Sequence, residues 1–550
     1  MASPHSTRPS VGQLASGLGF GTVGLLFAAA QWRAVQAPAR DKGREEEDHP
    51  PAGGPPADAL PAAPASKADA LESGLGEPEH GAGGKPPTTL GFLAQLARLD
   101  GDALARARQP LRCWLELGLV LALFHVTDRT GAFGDGGKHY SRDTFTFVCL
   151  AILAVSASTA APCHRGTLLN RDQTDEWKGW MQVLFLLYHY FEAKEFYNGI
   201  RLCIAAYVWM TGFGNFSYYA IRGDFSAGRI AAQMWRLNLF VFLLCCALRN
   251  SYMLYYICPM HTLFTLFVYA AMRVRRDANG SHTGVALKLA ACTAVVLLLW
   301  DVPGVFHAVW APFGSLFTYT DPRFPGRGDP LYEWHFRSGL DRYIWIYGML
   351  CAHCHPAAER LLLSIDALPG AAKALTRGGI MAASLAVLVV WHNTVYILPK
   401  VEYNALHPYT SWIPLTVVII WRNLWPELRR VHLATFAWLG KITLETYLCQ
   451  FHIWLHTAQP DAQPGRLFVV TRAFLADGGE KGALAYPLVN FFFASAIYIL
   501  ISRRVFDLTS TLSAACVPLN DIHRLREHLA IGLALLAALV AAAVALRALL

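Results

Sequence analysis

Charged residues are scarce in this chain: Asp, Glu, Lys and Arg make up 16% of 550 residues, against 54% hydrophobic. Soluble domains sit near about one-quarter charged, so this composition excludes an ordinary soluble enzyme and indicates an integral membrane protein. No G-x-S-x-G elbow, Walker loop or HExxH helix is present, which removes the standard soluble hydrolase, nucleotide-phosphate and zinc-protease readings. A net charge of +8 does not imply nucleic acid, because no soluble module carries a basic face with interleaved aromatics. The Lys and Arg residues cluster instead in short stretches between apolar runs. Most of the 12 cysteines lie within such runs, as Cys149, Cys203, Cys245, Cys246, Cys292 and Cys449 do. They behave as small hydrophobes and define neither a disulfide framework nor a redox compartment.

What is present is a succession of apolar spans. Residues 12–30 are apolar and Gly-rich, and read as a signal peptide, a signal anchor or a first span, the last two preferred; they place an N-terminal unit at 1–36. Residues 37–91 are rich in Pro, Ala and Gly and almost free of aromatics, so they cannot offset their ordering entropy; a disordered linker and lead-in is expected over 37–110. Spans then follow near 111–127, 143–162, 178–191, 197–220, 230–249, 252–272, 285–311, 341–355, 378–398, 410–425, 433–456, 485–502 and 528–550. The expectation is an all-α polytopic bundle over 111–550, with about thirteen spans judged against the ~20 residues a bilayer requires. Basic clusters at 273–276, 360–377, 429–430 and 503–526 alternate with Trp- and acid-bearing loops at 312–340, 399–409 and 457–484. The positive-inside bias puts the first set, and the 163–177 loop, in the cytosol.

Several constellations could carry chemistry. The run HRGTLLNRDQTDEWKGWMQVLFLLYHYF (164–191) leads from Asn170, Arg171, Asp172, Gln173, Glu176 and Lys178 into an apolar helix with His189 several turns inside. An ionisable group at lipid depth is costly and normally faces a protein-lined cavity, and a neutral buried imidazole is a competent general base. The plainer alternative is a core histidine hydrogen-bonded to a neighbouring span. Arg222, Arg229 and Arg236 recur at heptad spacing, hence on one helical face, as a stripe for phosphate or carboxylate or as snorkelling interfacial side chains. Tyr255, Tyr256 and His261 lie on a span interrupted by Pro259, offering aromatic platforms for sugar rings or merely a kinked packing face. Glu333, His335, Arg337, Asp341 and Arg342 could cap a helix or line a polar acceptor site, with Glu402, Asn404 and His407 in a similar setting. Glu445 and His452 share a face of one span. The run CAHCH (351–355) matches the pattern for haem attachment, but it ends a span on the expected cytosolic side without a second ligand pair, so neither haem nor metal is expected.

Together the blocks LNRDQTDEWKGWMQ, LLYHYF, RNSYMLYYICPMHTLFTL, EWHFRSGLDRYIW, LHPYTSWIP and LGKITLETYLCQFHIWL resemble the multi-span sugar O-acetyltransferase family. That family comprises the sialate O-acetyltransferase of animals, fungal capsule O-acetylation proteins and plant reduced-wall-acetylation proteins; the wording of the 251–269 and 333–345 blocks is nearest the plant type. The resemblance covers residues 111–550 and implies a membrane acyltransferase fold, acetyl-CoA as donor, a polysaccharide or sugar as acceptor, and a Golgi membrane. It implies His189 as catalytic base or transient acetyl carrier. It matches Arg229 and Arg236 to the donor-binding arginines, with Arg171 or Lys178 beside the phosphates. Glu176, His261, Glu402, His407 and His452 are second-rank partners. The serine-esterase-like domain of the animal member is missing here, so transfer is either direct or through a separate lumenal esterase-like acetyltransferase. A secondary transporter of acetyl-CoA or another solute, or a non-catalytic scaffold for lumenal acetyltransferases, is the rival reading.

Overall fold

The structure is a computed structural model and describes residues 9–36, 88–321, 324, 326, 328–457, 464–469 and 487–549. Its longer helices, in chain order, are α1 (Val11–Gln36), α2 (Gly101–Arg129), α3 (Arg142–Ala157), α4 (Arg171–Phe191), α5 (Tyr197–Arg222) and α6 (Ala227–Leu248). There follow α7 (Ile257–Arg273), α8 (His282–Val296), α9 (Tyr332–Leu340), α10 (Ile344–Asp366), α11 (Gly370–Trp391) and α12 (Lys400–Thr410). The last are α13 (Trp412–Asn423), α14 (Ala434–Gly440), α15 (Thr443–Ile453), α16 (Pro487–Cys516) and α17 (Ile522–Leu549). The bundle is all-α apart from short ladders. Strands β1 (Gly134–Gly137), β4 (Leu455–His456) and β5 (Arg466–Val469) form one antiparallel sheet in the order β1-β5-β4, and β2 (Ala160–Pro162) pairs with β3 (Val431–Leu433). Because β1 and β2 flank α3, whose 16 residues span ~24 Å, the two ladders mark opposite ends of the bundle.

Seven helices among the described residues are long and apolar enough to cross a membrane: Val11–Arg33, Gly101–Arg129, Ala227–Leu248, His282–Asp301, Gly370–Tyr396, Leu488–Cys516 and Ile522–Leu549. The other expected spans take different forms. The 285–311 stretch is broken: α8 passes through a π-segment, Leu297–Asp301, and Gly304 at φ 80° then starts the separate short helix Val305–Trp310. The 433–456 stretch is two helices, α14 and α15. The expected kink at Pro259 is absent, because a 3-10 turn, Tyr252–Tyr255, precedes α7 and leaves the proline in the first helical turn, where its missing N–H costs nothing. The lead-in before residue 111 is helical: Thr89–Ala97 is followed by α2, which Asp100 caps by accepting from the Ala103 amide. The rest of the expected linker, 37–87, lies outside the described residues. Arg503 and Arg504, expected in a basic loop, sit inside α16, where Arg504 pairs with Glu116 of α2.

Two helix crossings are set by glycine. A Cβ on Gly179 would overlap the Phe436 carbonyl, and one on Gly440 the Asp175 carbonyl, so α4 and α14 press backbone against backbone. Gly212 against the Trp345 carbonyl and Gly348 against the Trp209 carbonyl do the same for α5 and α10. In lipid, where apolar surface gains little from association, close backbone approach of this kind supplies the packing energy. Gly440→Ala is therefore expected to cost about 1–3 kcal/mol by overpacking, seen as a lower unfolding midpoint in detergent. Gly214→Ala, on α5 with nothing within 4 Å of the new Cβ, is expected to be neutral or stabilising. Equal midpoints for the two variants would refute the tight crossing.

Candidate functional site

Asn170 starts α4 by accepting from the Gln173 amide at 2.9 Å, Asp172 occupies its first turn, and Glu192 ends it in the left-handed region at φ 56°. His189 accordingly lies in the last turn of this 21-residue helix and not at its middle. The expected grouping of His189 with the charged patch does not form. At 1.5 Å per residue, Lys178, Glu176 and Arg171 lie ~16, ~20 and ~27 Å away along the axis. The half-buried His189 ring meets Phe185 edge-on at 4.6 Å between centroids and Tyr188 at 5.2 Å.

The polar residues that gather beside this turn come from five elements. From α5, Arg201 donates to Asp341 at 2.6 Å, both side chains being buried. The other Asp341 oxygen faces His407 Nε2 at 3.4 Å, and His407 Nδ1 meets the Tyr403 hydroxyl at 3.0 Å. Arg337 donates to Glu333 at 3.0 Å and lies 4.1 Å above the Tyr256 ring. Tyr197 and Asn404 are joined at 3.1 Å. Tyr188, next to His189, is within electrostatic reach of Tyr197, Tyr256, Arg201 and Arg337. Six of the expected acceptor residues (Tyr256, Glu333, Arg337, Asp341, Asn404 and His407) thus belong to one neighbourhood. His335 and Arg342 do not: His335 packs on Phe306 at 4.6 Å, while Arg342 holds Asp301 and the Tyr409 hydroxyl. Glu402 is exposed on the outer face of α12. His261, half-buried on α7, exchanges a hydrogen bond with Thr211 at 2.8 Å.

A second polar group is sealed. His452 Nδ1 faces Asp128 at 2.5 Å and its Nε2 faces the Tyr255 hydroxyl at 2.8 Å, and the Asp128 and His452 side chains are fully buried. Asn250 donates to the Tyr255 hydroxyl at 2.9 Å and accepts from Arg129, which also reaches Thr457. Tyr255 is thus fully buried, and His452 ties the Tyr252–Tyr255 turn to Asp128 of α2. Among the residues absent from the sequence reading, Asp128, Arg129 and Arg201 were detectable as charges at or inside apolar runs (FHVTDR and GIRLCIAAYVW). Their partners come from distant segments.

The cationic candidates are mostly engaged. Asp175 takes Lys178 at 3.0 Å and lies 3.7 Å from Arg171. Glu176 accepts from Arg422 at 3.1 Å and from the Leu433 amide at 2.8 Å, pinning β3 to α4. The expected Arg222–Arg229–Arg236 stripe does not exist as one face, because α5 ends at Arg222 and Gly223 turns the chain at φ 63° before α6 begins. Arg236 forks onto the buried Glu445 carboxylate. Arg229 is half-buried at the start of α6, its guanidinium 4.2 Å over the Tyr218 ring. In CAHCH, now inside α10, His355 bonds the Leu168 carbonyl at 2.8 Å and His353 bonds His282.

A family model described as the 10 TM acyl transferase domain found in Cas1p matches residues 94–529. The chain belongs to that family. It is an integral membrane protein with an acyltransferase domain, matching the resemblance and fold class read from its sequence. Among curated relatives, the N-acetylneuraminate (7)9-O-acetyltransferase of Danio rerio is 29% identical over 445 residues, 77% of this chain. The chain spans about half the length of that relative, 53%. No solved structure matches. The described ten spans lie between the seven long apolar helices seen here and the about thirteen expected from sequence.

Removing one partner of a sealed pair leaves the other charged or polar group buried, so Asp128→Ala is expected to destabilise the acyltransferase domain by about 3–5 kcal/mol. The measurement is thermal unfolding in detergent; a wild-type midpoint would show that the network contributes nothing to the fold.

Proposed function

We propose that this chain is a membrane O-acetyltransferase that moves acetyl groups from acetyl-CoA to hydroxyls of a sugar or polysaccharide, with His189 as the catalytic base. One observation carries this reading: His189 is the half-buried histidine at the end of α4 beside Tyr188 and the Tyr256–Arg337–Asp341 neighbourhood, whereas His452 and His407 are fully enclosed. A base must reach the proton it removes, and an enclosed imidazole held by an aspartate cannot. The family match and the activity named for the Danio rerio relative support the acyl transfer and the sugar acceptor.

In the proposed step His189 takes the proton of the acceptor hydroxyl as its oxygen attacks the thioester carbonyl. The C–O bond forms, the C–S bond breaks, and the departing thiolate receives the proton from the imidazolium. The Arg201–Asp341–His407 chain and the Arg337–Glu333 pair hold the acceptor side rigid. A low-dielectric surround keeps water from the thioester. Donor phosphates fall to Arg229, the least committed of the expected arginines, since recruiting Arg236 would strand Glu445. The β2–β3 end then faces the cytosol and the β1–β5–β4 end the lumen of a Golgi membrane, in line with the positive-inside distribution. The acetyl group reaches the final glycan directly or by way of a separate lumenal esterase-like acetyltransferase.

The test is release of free CoA and acetylated glycan by detergent-purified protein given labelled acetyl-CoA and an acceptor panel. His189→Ala is expected to lower kcat by about 10²- to 10⁴-fold with an unchanged elution profile. Arg229→Ala is expected to raise the donor KM with kcat nearly intact. Full activity of His189→Ala removes the assignment. CoA-linked flux seen in sealed vesicles but no turnover in detergent would instead make the chain a transporter, and cellular acetylation sustained by His189→Ala would make it a scaffold.

A further inference from the structure

At the β2–β3 end, away from His189, a ring nitrogen of His432, a carboxylate oxygen of Asp172 and the Cys163 thiol all lie within 4.8 Å of one another. Three separate features hold them there. The Cys163 amide donates to the Arg430 carbonyl at 2.7 Å, extending the β2–β3 ladder. Asp172 sits in the first turn of α4, where it accepts from the backbone amide and ring of His164 at 2.7 and 2.8 Å. His432 lies on β3 opposite Ala161. The His432 side chain is the informative one. It is 9% exposed, and its Nδ1 is buried without a hydrogen-bond partner. A buried imidazole nitrogen normally has a partner, and leaving it without one costs about 1–3 kcal/mol.

We propose that Cys163, Asp172 and His432 bind a zinc ion. A thiolate, an imidazole and a carboxylate form the mixed donor set that suits zinc, and they would leave one position for water or His164. Tetrahedral zinc with bonds of about 2.0 and 2.3 Å holds its ligand atoms about 3.5 Å apart, so the present spacing closes with side-chain adjustments of ~1 Å. The His164–Asp172 contact supplies the hydrogen bond that typically orients a ligating group. Such an ion would clamp the α3–α4 connection onto β3. The expectation of no metal rested on CAHCH, which lacks a second ligand pair; Cys163 did not enter it, since His432 is brought there only by strand pairing.

Full-length protein in detergent, stripped with chelator and titrated with zinc or cobalt(II) alone, tests the site. Wild type is expected to retain one zinc per chain, and its cobalt form to show thiolate-to-metal charge transfer with the visible bands of a tetrahedral ion. Cys163→Ser and His432→Ala are expected to lose both signals, whereas Cys354→Ser, which alters the exposed thiol of CAHCH, keeps them. Asp172→Asn is a conservative change that does not depend on cavity tolerance, and it is expected to weaken zinc by at least about tenfold. Substoichiometric zinc in wild type overturns the proposal, as do cobalt bands that survive Cys163→Ser or vanish in Cys354→Ser.

Discussion

Backbone contact through glycine is the constraint on which the rest of this molecule depends. Side chains cannot intervene where α4 meets α14 or where α5 meets α10, so each pair has one depth and one register. The α4–α14 contact fixes the depth and register of α4, and Glu192 ends that helix just past His189. The α5–α10 contact sets Arg201 opposite Asp341, immediately before α10. A residue one methyl larger at these crossings moves whole helices, and with them groups that meet at hydrogen-bond distance.

Buried ionic and polar contacts act on top of this frame. Arg201–Asp341, Arg236–Glu445 and Asp128–His452 each join helices remote in sequence, and each buries at least one ionisable side chain. Pairs of this type add little net stability compared with apolar packing, but they are costly to break, so they penalise every alternative helix register. The same pairing removes most candidate groups from chemistry. Carboxylates and guanidiniums that neutralise one another are spent on architecture.

Much of the bundle was legible in the sequence because a membrane span is a local property: length and apolarity decide it with little help from neighbours. The helices at 230–249 and 528–550 appear with modest shifts in their ends, and that at 111–127 begins ten residues earlier, at Gly101. Legibility failed where polarity serves contact inside the bundle. Helix α4 buries Gln173, Asp175, Glu176 and Gln182, so its first turns carry polar groups that a hydropathy reading treats as loop. The break at Gly304 and the proline in the first turn of α7 were similarly hidden, since a glycine or proline in an apolar run does not reveal whether the chain bends, stops or starts there. The site was half legible: Tyr256, Glu333, Arg337, Asp341, Asn404 and His407 do converge, but the heptad of arginines was a false face created by extending one helix across Gly223.

By itself the sequence determined that this chain lives in a membrane, that it is helical, and which blocks ally it with acyltransferases, because composition and contiguous motifs survive without knowledge of contacts. The tertiary structure alone decided that His407 and His452 are sealed, which arginines are already paired, and that Cys163 and Asp172 share a neighbour in His432. Those facts concern distances between segments hundreds of residues apart along the chain. Strand pairing and glycine-mediated helix contact set such distances, and neither leaves a periodic mark in the one-dimensional pattern.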